Sequence, residues 1–145
     1  MDNIPSIIKI EYITPDKIGK FSYSPGESID ISKLLNGSFQ KLSMSGTASL
    51  NSSMQKNDAG ILFEVKSAGM IKGKSESDVQ TLHTLSNRGH VYRLTDTTGK
   101  QYLVGTNNNP AKFNYNDNND QDPTGSRGYT FNISWNSTAG IIYLA

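Results

Sequence analysis

The sequence predicts a mainly β protein, an antiparallel β-sandwich or split barrel with one short helix packed on it near residues 75–87. Short segments in which apolar and polar residues alternate recur along the chain, and turns rich in Gly, Asn, Asp and Pro separate them. Apolar residues spaced as in an amphipathic helix occur in one segment. No shift of composition marks a linker, so residues 1–145 are expected to form a single domain.

The N-terminal third predicts short strands separated by turns. Residues 6–13 (SIIKIEYI) are rich in β-branched side chains and predict a strand with Ile8, Ile10 and Tyr12 on one face. A second short strand is predicted at 21–23. Residues 28–35 (SIDISKLL) alternate at first and then carry two leucines, so a strand and a helical turn are both left open there.

A long antiparallel hairpin is predicted in the middle of the chain. Residues 41–50 alternate strictly, and 61–66 (ILFEVK) alternate again and continue past Gly69 to Ile71. The polar residues 51–60 (NSSMQKNDAG) predict a mobile tip between the two strands. The residues expected to share the packed face of the first strand are Leu42, Met44, Gly46, Ala48 and Leu50.

Residues 75–87 are the one good helix candidate. Val79, Leu82 and Leu85 recur three residues apart, and Arg88-Gly89 offer a basic last turn and a glycine for the C′ position. A single short helix must lie on a sheet to bury such a stripe. His83 is interpreted as an ordinary packed or half-exposed residue, since neither of the two histidines has an acidic cluster nearby.

A second hairpin has a register that the residues specify. The sequence Asp96-Thr97-Thr98-Gly99 predicts a three-residue turn, with an aspartate acceptor at its start and a glycine where φ must be positive. This turn pairs Asp96 with Lys100, and the hydrophobic pattern chooses the same register. The predicted cross-strand pairs are Leu94 with Tyr102 and Tyr92 with Val104.

The C-terminal third predicts a corner, two strands and a closing segment. Residues 105–110 (GTNNNP) predict the corner, and 116–127 (NDNNDQDPTGSR) a long loop between two strands. Residues 141–144 predict a final strand or docked tail. The alternating apolar residues of the two strands are Phe113 and Tyr115, then Tyr129, Phe131, Ile133 and Trp135.

Composition restricts the partners and the location. The net charge is +1 with both signs evenly scattered, which argues against nucleic acid and anionic membranes as partners. The absence of cysteine excludes disulfides, thiol catalysis and cysteine-ligated zinc. The first residues, MDNIPSIIKIEY, have neither the basic region of a signal peptide nor the length of a membrane span.

The loop at 116–122 is the single candidate for a metal site. Its weak calcium candidates are Asp117, Asn119, Asp120 and Asp122, because calcium prefers several carboxylate and amide oxygens from a short loop. The loop lacks the glycine at the sixth position and the closing glutamate of an EF-hand, so a solvated connection is preferred. No cofactor site is predicted.

Catalytic patterns are absent from the sequence. There is no Gly-x-Ser-x-Gly elbow and no phosphate-binding loop, and the acidic residues of 116–122 have nothing to desolvate them. Ser126-Arg127-Gly128 offers backbone donors beside a guanidinium, but a turn that restarts the strand is the preferred interpretation. A non-enzymatic protein is therefore expected.

Several features of residues 91–131 occur together in a known layout. They are an aliphatic strand, an Asp-x-x-Gly-Lys turn at 96–100, Leu-Val-Gly-Thr at 103–106, Asn-Asn-Pro at 108–110, an aromatic strand, and Thr124-Gly125 followed by Arg-Gly-Tyr-Thr-Phe at 127–131. Together with 63–85, this sequence resembles an uncharacterised family of small proteins from phage and prophage tail modules of Bacteroides-type bacteria. Residues 137–145 lack the proline-containing close of that family, which leaves docking of the tail open.

The resemblance implies a structural protein of a phage or prophage tail, acting as a self-assembling tail-tube or baseplate-like subunit that forms rings. Its partners would be copies of itself or other tail proteins. It would be made in the bacterial cytoplasm without a signal peptide and be carried in the virion. The alternative is a monomeric ligand-binding β-module that recognises glycan or protein through its loops and presents Trp135 or several tyrosines on one exposed patch.

Overall fold

The computed structural model describes residues 6–21, 27–42, 44–58, 60–72, 76–118, 128–138 and 140–144. In these ranges the protein is mainly β, with ten strands in one sheet and a single helix, which confirms the predicted fold class. The strands are β1 Ile7–Ile13, β2 Ser28–Ile29, β3 Gln40–Leu42, β4 Ser45–Asn57, β5 Gly60–Lys72, β6 Val91–Asp96, β7 Gln101–Val104, β8 Lys112–Asn118, β9 Gly128–Ser137 and β10 Ile142–Leu144, and the helix is α1 Glu76–Asn87.

The sheet has the order β2-β10-β7-β6-β1-β4-β5-β9-β8, with β3 also paired to β1. It curls over one core, because an isolated bridge between His90 and Ala111 joins the start of β6 to the start of β8. The rings of Tyr92 and Phe113 stack at 6.2 Å, and those of Phe113 and Phe131 at 5.6 Å, across the inner face. The ladder itself does not close into a barrel.

Strand β1 forms as predicted, but the predicted face is wrong at Ile8. The register between β1 and β6 shifts between Ile7 and Lys9, so one extra residue on β1 makes a β-bulge. The bulge turns Ile7 into the core and leaves Ile8 50% exposed. Ile10 is buried and Tyr12 is half-buried, as expected from the alternation that follows the bulge.

The predicted strand at 41–50 is divided between two strands, β3 and β4, which both pair with β1. β3 pairs with β1 at Leu42, and β4 pairs with β1 at Ala48. Gly46 has φ +71° within an irregular stretch of the β4–β5 register, so it interrupts the alternation and lies exposed rather than packed. Leu42, Ala48 and Leu50 are buried as predicted.

The predicted polar tip at 51–60 is largely strand. β4 continues to Asn57 and β5 begins at Gly60, with the pair Asn57–Gly60 at the end of the ladder. Cross-strand backbone hydrogen bonds stabilise this segment although its side chains are polar. A prediction from side-chain composition does not include such pairing, and it therefore indicated a loop tip. The predicted hairpin is otherwise confirmed, since β5 runs past Gly69 to Lys72.

The segment at 28–35 contains both of the structures that the sequence left open. Ser28–Ile29 is the short strand β2, and Ser32–Leu34 is a turn of 3-10 helix. Phe21 lies outside any strand, so the predicted strand at 21–23 is wrong at its first residue. Its other two residues, and 119–127 of the predicted loop, are outside the described residues.

The helix prediction is confirmed. Leu82 and Leu85 are each 1% exposed and α1 packs against β8, whereas Val79 is 37% exposed and marks the margin of the stripe. Gly89 does not adopt a positive φ, so it is not the left-handed C′ residue that was expected. A β-carbon on Gly89 would lie 2.7 Å from the ring of Pro110, and this close approach explains the glycine.

The register of the second hairpin is confirmed. Leu94 pairs with Tyr102 and Tyr92 pairs with Val104. The amide of Asp96 donates to the Lys100 carbonyl at 3.0 Å, and Gly99 has φ +89°. The chain end is docked as well, because β10 pairs with β7 on one side and β2 on the other.

Candidate functional site

The most exposed part of the sheet is the outer end of the β4–β5 hairpin. β1 reaches β4 only at Ala48, and β9 pairs with β5 only from Phe63 onward. Residues 51–62 are here named the hairpin arm. Among the described residues, its β4 strand has no partner on its outer edge. Residues 55–62 form a two-stranded ribbon, whereas 51–54 pair with the part of β5 that also pairs with β9. An isolated two-stranded hairpin is marginally stable in water. The arm is thus a segment that a third strand would stabilise.

The side chains of the arm are exposed on both faces. Met54 is 51% exposed and Ile61 is 48% exposed, two of the few large apolar side chains at the described surface. Lys56 and Asp58 balance each other in charge. At the base of the arm, Gln55 donates to Glu64 at 3.2 Å. The arm is nearly neutral, partly apolar and open along its β4 edge, which are properties of a strand-pairing surface.

A second open edge lies on β8, at the end of the sheet. β8 pairs with β9 along its length, and on its other side the described residues show only the bridge between His90 and Ala111. Asn114 is exposed in the middle of this strand. The described residues therefore carry open strand edges on β4 and on β8, in addition to the two-residue strand β2 at the other end of the sheet.

A cleft lies between the end of β1 and the helix α1. Its volume is about 460 Å³. The residues that line it are Tyr12, Ile13, Thr14, Lys17, Ser38, Gln40, Gln80, Thr81, Thr84 and His90. Four segments distant in sequence thus form its walls.

His90 is the buried polar residue of this cleft. It is 2% exposed, and its Nδ1 lies 3.0 Å from the carbonyl oxygen of Arg88. A carbonyl oxygen can only accept, so Nδ1 carries the proton and Nε2 is the acceptor. Burial lowers the pKa of His90, against a smaller opposing effect of the Arg88 hydrogen bond, which keeps the ring neutral near pH 7.

The aromatic ring of Tyr12 stands against His90. The two ring centroids lie 5.9 Å apart at an interplanar angle of 87°. The Tyr12 hydroxyl donates to Oε1 of Gln40 at 3.1 Å. Burial raises the pKa of Tyr12, opposed in part by a hydrogen bond with Thr81, so the phenol stays protonated at neutral pH.

The turn at Asp96 is structural rather than a site. The carboxylate is buried and accepts from the Thr98 amide and hydroxyl, the Lys100 amide and the Tyr102 hydroxyl, at 2.6–3.0 Å. Burial alone would raise the pKa of Asp96, but these hydrogen bonds outweigh it and the pKa is lowered. Burial, together with the bond to this carboxylate, raises the pKa of Tyr102 to about 12.

The side chains predicted for calcium lie outside the described residues, so the calcium loop stays a prediction. Asp117 lies in β8, and its side chain is outside the described residues, as are Asn119, Asp120 and Asp122. Among the described residues, no three His, Asp or Glu side chains group to hold a metal ion. In the same residues no helix is long and apolar enough to cross a membrane.

Trp135 does not form the exposed aromatic patch expected of a loop-binding module. It is 3% exposed, and its indole donates to the carbonyl of Asn109 at 2.8 Å. His83 is exposed on the helix, where the sequence placed an ordinary residue. The sequence missed His90, although its spacing with the buried Tyr92 and Leu94 was the period-two signal of an inward-facing residue.

Comparisons of the chain with protein-family models, with curated proteins and with solved structures find no match.

Proposed function

We propose that the protein is a self-assembling structural subunit of a phage or prophage tail, in which the hairpin arm of one copy pairs with a strand edge of the next. The open β4 edge of the arm carries this proposal. Unpaired amide and carbonyl groups on a long strand favour addition of another strand, and proteins that stay monomeric usually shield such an edge. The tail assignment is supported by the resemblance of residues 91–131 alone.

The β8 edge is the partner that fits the arm. Because the two edges lie on different strands, arm-to-β8 pairing is heterologous, and it generates a ring if the rotation closes or a filament if it does not. Pairing of the arm with itself would instead give a two-fold dimer. Rings are what a tail-tube or baseplate-like role requires.

The assembly test compares two variants of equal charge. Light scattering and negative-stain imaging of the purified chain at rising concentration should show rings or tubes. Ser53→Lys with Met54→Lys places charges on both faces of the arm, and charged side chains on an edge strand, lysine above all, oppose the addition of another strand, so assembly should be lost. Because Ser53 faces Glu64 across the ladder, Ser53→Lys creates a pair of opposite charges that favours the fold. The control, His83→Lys with Ser86→Lys on the exposed helix face, should assemble normally.

Cysteine cross-linking identifies the edges, since the chain has no cysteine of its own. Ser53→Cys with Asn114→Cys should form a covalent ladder of multimers on mild oxidation. Dimers from Ser53→Cys alone would establish arm-to-arm pairing and contradict the β8 partner. A strict monomer at all concentrations would overturn the assembly and favour the ligand-binding module.

A further inference from the structure

We propose that the cleft between the end of β1 and helix α1 binds a hydroxylated ring of monosaccharide size that carries one anionic group. This site is separate from the hairpin arm, with which it shares no residue. Its volume of about 460 Å³ lies in the range of small-molecule sites, about 300–1,000 Å³.

His90 presents a hydrogen-bond acceptor to the cleft. Nδ1 of His90 is engaged by the Arg88 carbonyl, so Nε2 is the ring nitrogen available to a molecule in the cleft. A hydroxyl group of a ligand in the cleft would donate to this nitrogen.

The charge of the lining selects an anion. Among the described residues, Lys17 is the one charged side chain that lines the cleft. The carboxylate of Asp16, which is hydrogen-bonded to Thr14 and interacts with Lys17, lies outside this lining. The stem of Lys17 lies over Gly37, where an added β-carbon would come within 2.8 Å of Cδ. An ammonium group without an opposing carboxylate in the lining favours a ligand carboxylate or phosphate over a cation.

The remaining lining is neutral and matches hydroxyl groups. Oε1 of Gln40 is occupied by the Tyr12 hydroxyl, which leaves the Gln40 amide nitrogen to donate. Gln80 is exposed on the helix and offers both a donor and an acceptor. The hydroxyl of Thr84 donates to the Gln80 carbonyl at 2.9 Å and keeps its acceptor capacity. Ile13 and the ring of Tyr12 supply apolar surface for the carbon face of a sugar ring.

Uronic acids and sugar phosphates share this chemistry, and three probes separate them from neutral sugars. Calorimetric titrations with glucuronic acid, glucose 6-phosphate and glucose should show binding of at least one acid, at least 10-fold tighter than glucose. The acid that binds better identifies the anionic group. Equal affinity for glucose would overturn the anionic selection, and no binding of any probe up to about 10 mM would overturn the site.

A matched pair of lysine variants tests the role of Lys17. Lys17→Gln should weaken binding of the acid about 10-fold and leave glucose unchanged. Lys33→Gln removes a comparable exposed charge outside the cleft and should bind as the wild type does. An equal loss of affinity in both variants would mean that the net charge of the protein, rather than Lys17, determines binding, and it would contradict the proposal.

The two histidines give an independent readout, since ¹⁵N-detected NMR reports the tautomer of each ring. His90 should carry its proton on Nδ1 in the free protein, and its Nε2 resonance should shift on saturation with the acid. The exposed His83 is the internal reference and should not shift. A proton on Nε2 of His90, or an unchanged His90 signal at saturation, would overturn the proposed hydrogen bond.

Discussion

Replacing Asp96 by asparagine should destabilise the fold substantially and make its stability less dependent on pH. The carboxylate is 0% exposed and accepts four hydrogen bonds, three at Oδ1 and one from Tyr102 at Oδ2. Hydrogen bonds to a charged group contribute about 1.5–3 kcal/mol and neutral ones about 0.5–1.5 kcal/mol. The amide group of the substituted side chain would also present a donor to the Tyr102 hydroxyl. Allowing for non-additivity, we expect the free energy of unfolding to fall by about 2–4 kcal/mol at pH 7.

The pH dependence follows from the lowered pKa of Asp96 in the folded state. The carboxylate contributes stability above its ordinary pKa of 3.8, and this contribution is lost as the pH falls through the lower folded value. The difference between wild type and Asp96→Asn should therefore be largest near pH 7 and shrink below about pH 4. Urea denaturation at pH 7, 5, 4 and 3 measures it.

Asp30→Asn is the matched control for this experiment. Asp30 accepts a similar bond from the Ser32 amide at 3.0 Å, but it is exposed and holds no buried partner. Its replacement should leave the unfolding midpoint at pH 7 nearly unchanged. If Asp96→Asn is no less stable than Asp30→Asn, or if its deficit is the same at pH 3 as at pH 7, the buried carboxylate does not hold the turn.

Two further substitutions test packing, both by urea denaturation. Tyr92→Phe should leave stability unchanged or raise it by up to about 1 kcal/mol, because the Tyr92 hydroxyl is buried with no hydrogen-bond partner among the described residues. The control Tyr102→Phe removes a hydroxyl that has a partner, so it should lower the free energy of unfolding. Equal losses of stability in the two variants would show that the Tyr92 hydroxyl is also hydrogen-bonded. Gly69→Ala should cost about 2 kcal/mol, because its β-carbon would lie 2.7 Å from the Phe131 ring. The control is Gly46→Ala, where a β-carbon would have no atom within 4 Å but φ is +71°, and it should lower stability by about 1 kcal/mol. If Gly69→Ala lowers stability by no more than this, the Phe131 ring moves to accommodate the methyl group.

The parts of the fold that the sequence predicted are those specified by neighbouring residues. The register of Tyr92 with Val104 follows from the turn at Asp96 and the alternation beside it, both local. The helix stripe of Leu82 and Leu85 is likewise a local period. Where the prediction was wrong, a distant partner decides the structure. The bulge that exposes Ile8 depends on pairing with β6, more than eighty residues along the chain.

The candidate functional surfaces, the hairpin arm and the cleft, also depend on contacts between distant residues, so the sequence did not predict them. The polar residues 51–57 are strand because β5 pairs with them, and their composition alone indicates a loop. The cleft assembles from residues 12–17, 38–40, 80–84 and 90, whose proximity depends on the curl of the sheet and the placement of the helix. Only the burial of His90 had a local signal, its period-two spacing with Tyr92 and Leu94.

The position of β1 explains why the hairpin arm and the cleft are separate surfaces. Its first residue pairs with Ala48, just before the hairpin arm, and Tyr12 near its other end lines the cleft. The five residue-to-residue steps from Ile7 to Tyr12 span about 16 Å of extended chain, which separates the two surfaces along one strand. Variants at Ser53 and Met54 therefore leave the lining of the cleft intact, and Lys17→Gln leaves the arm intact. Loss of assembly and loss of ligand binding are separate physical events in this fold.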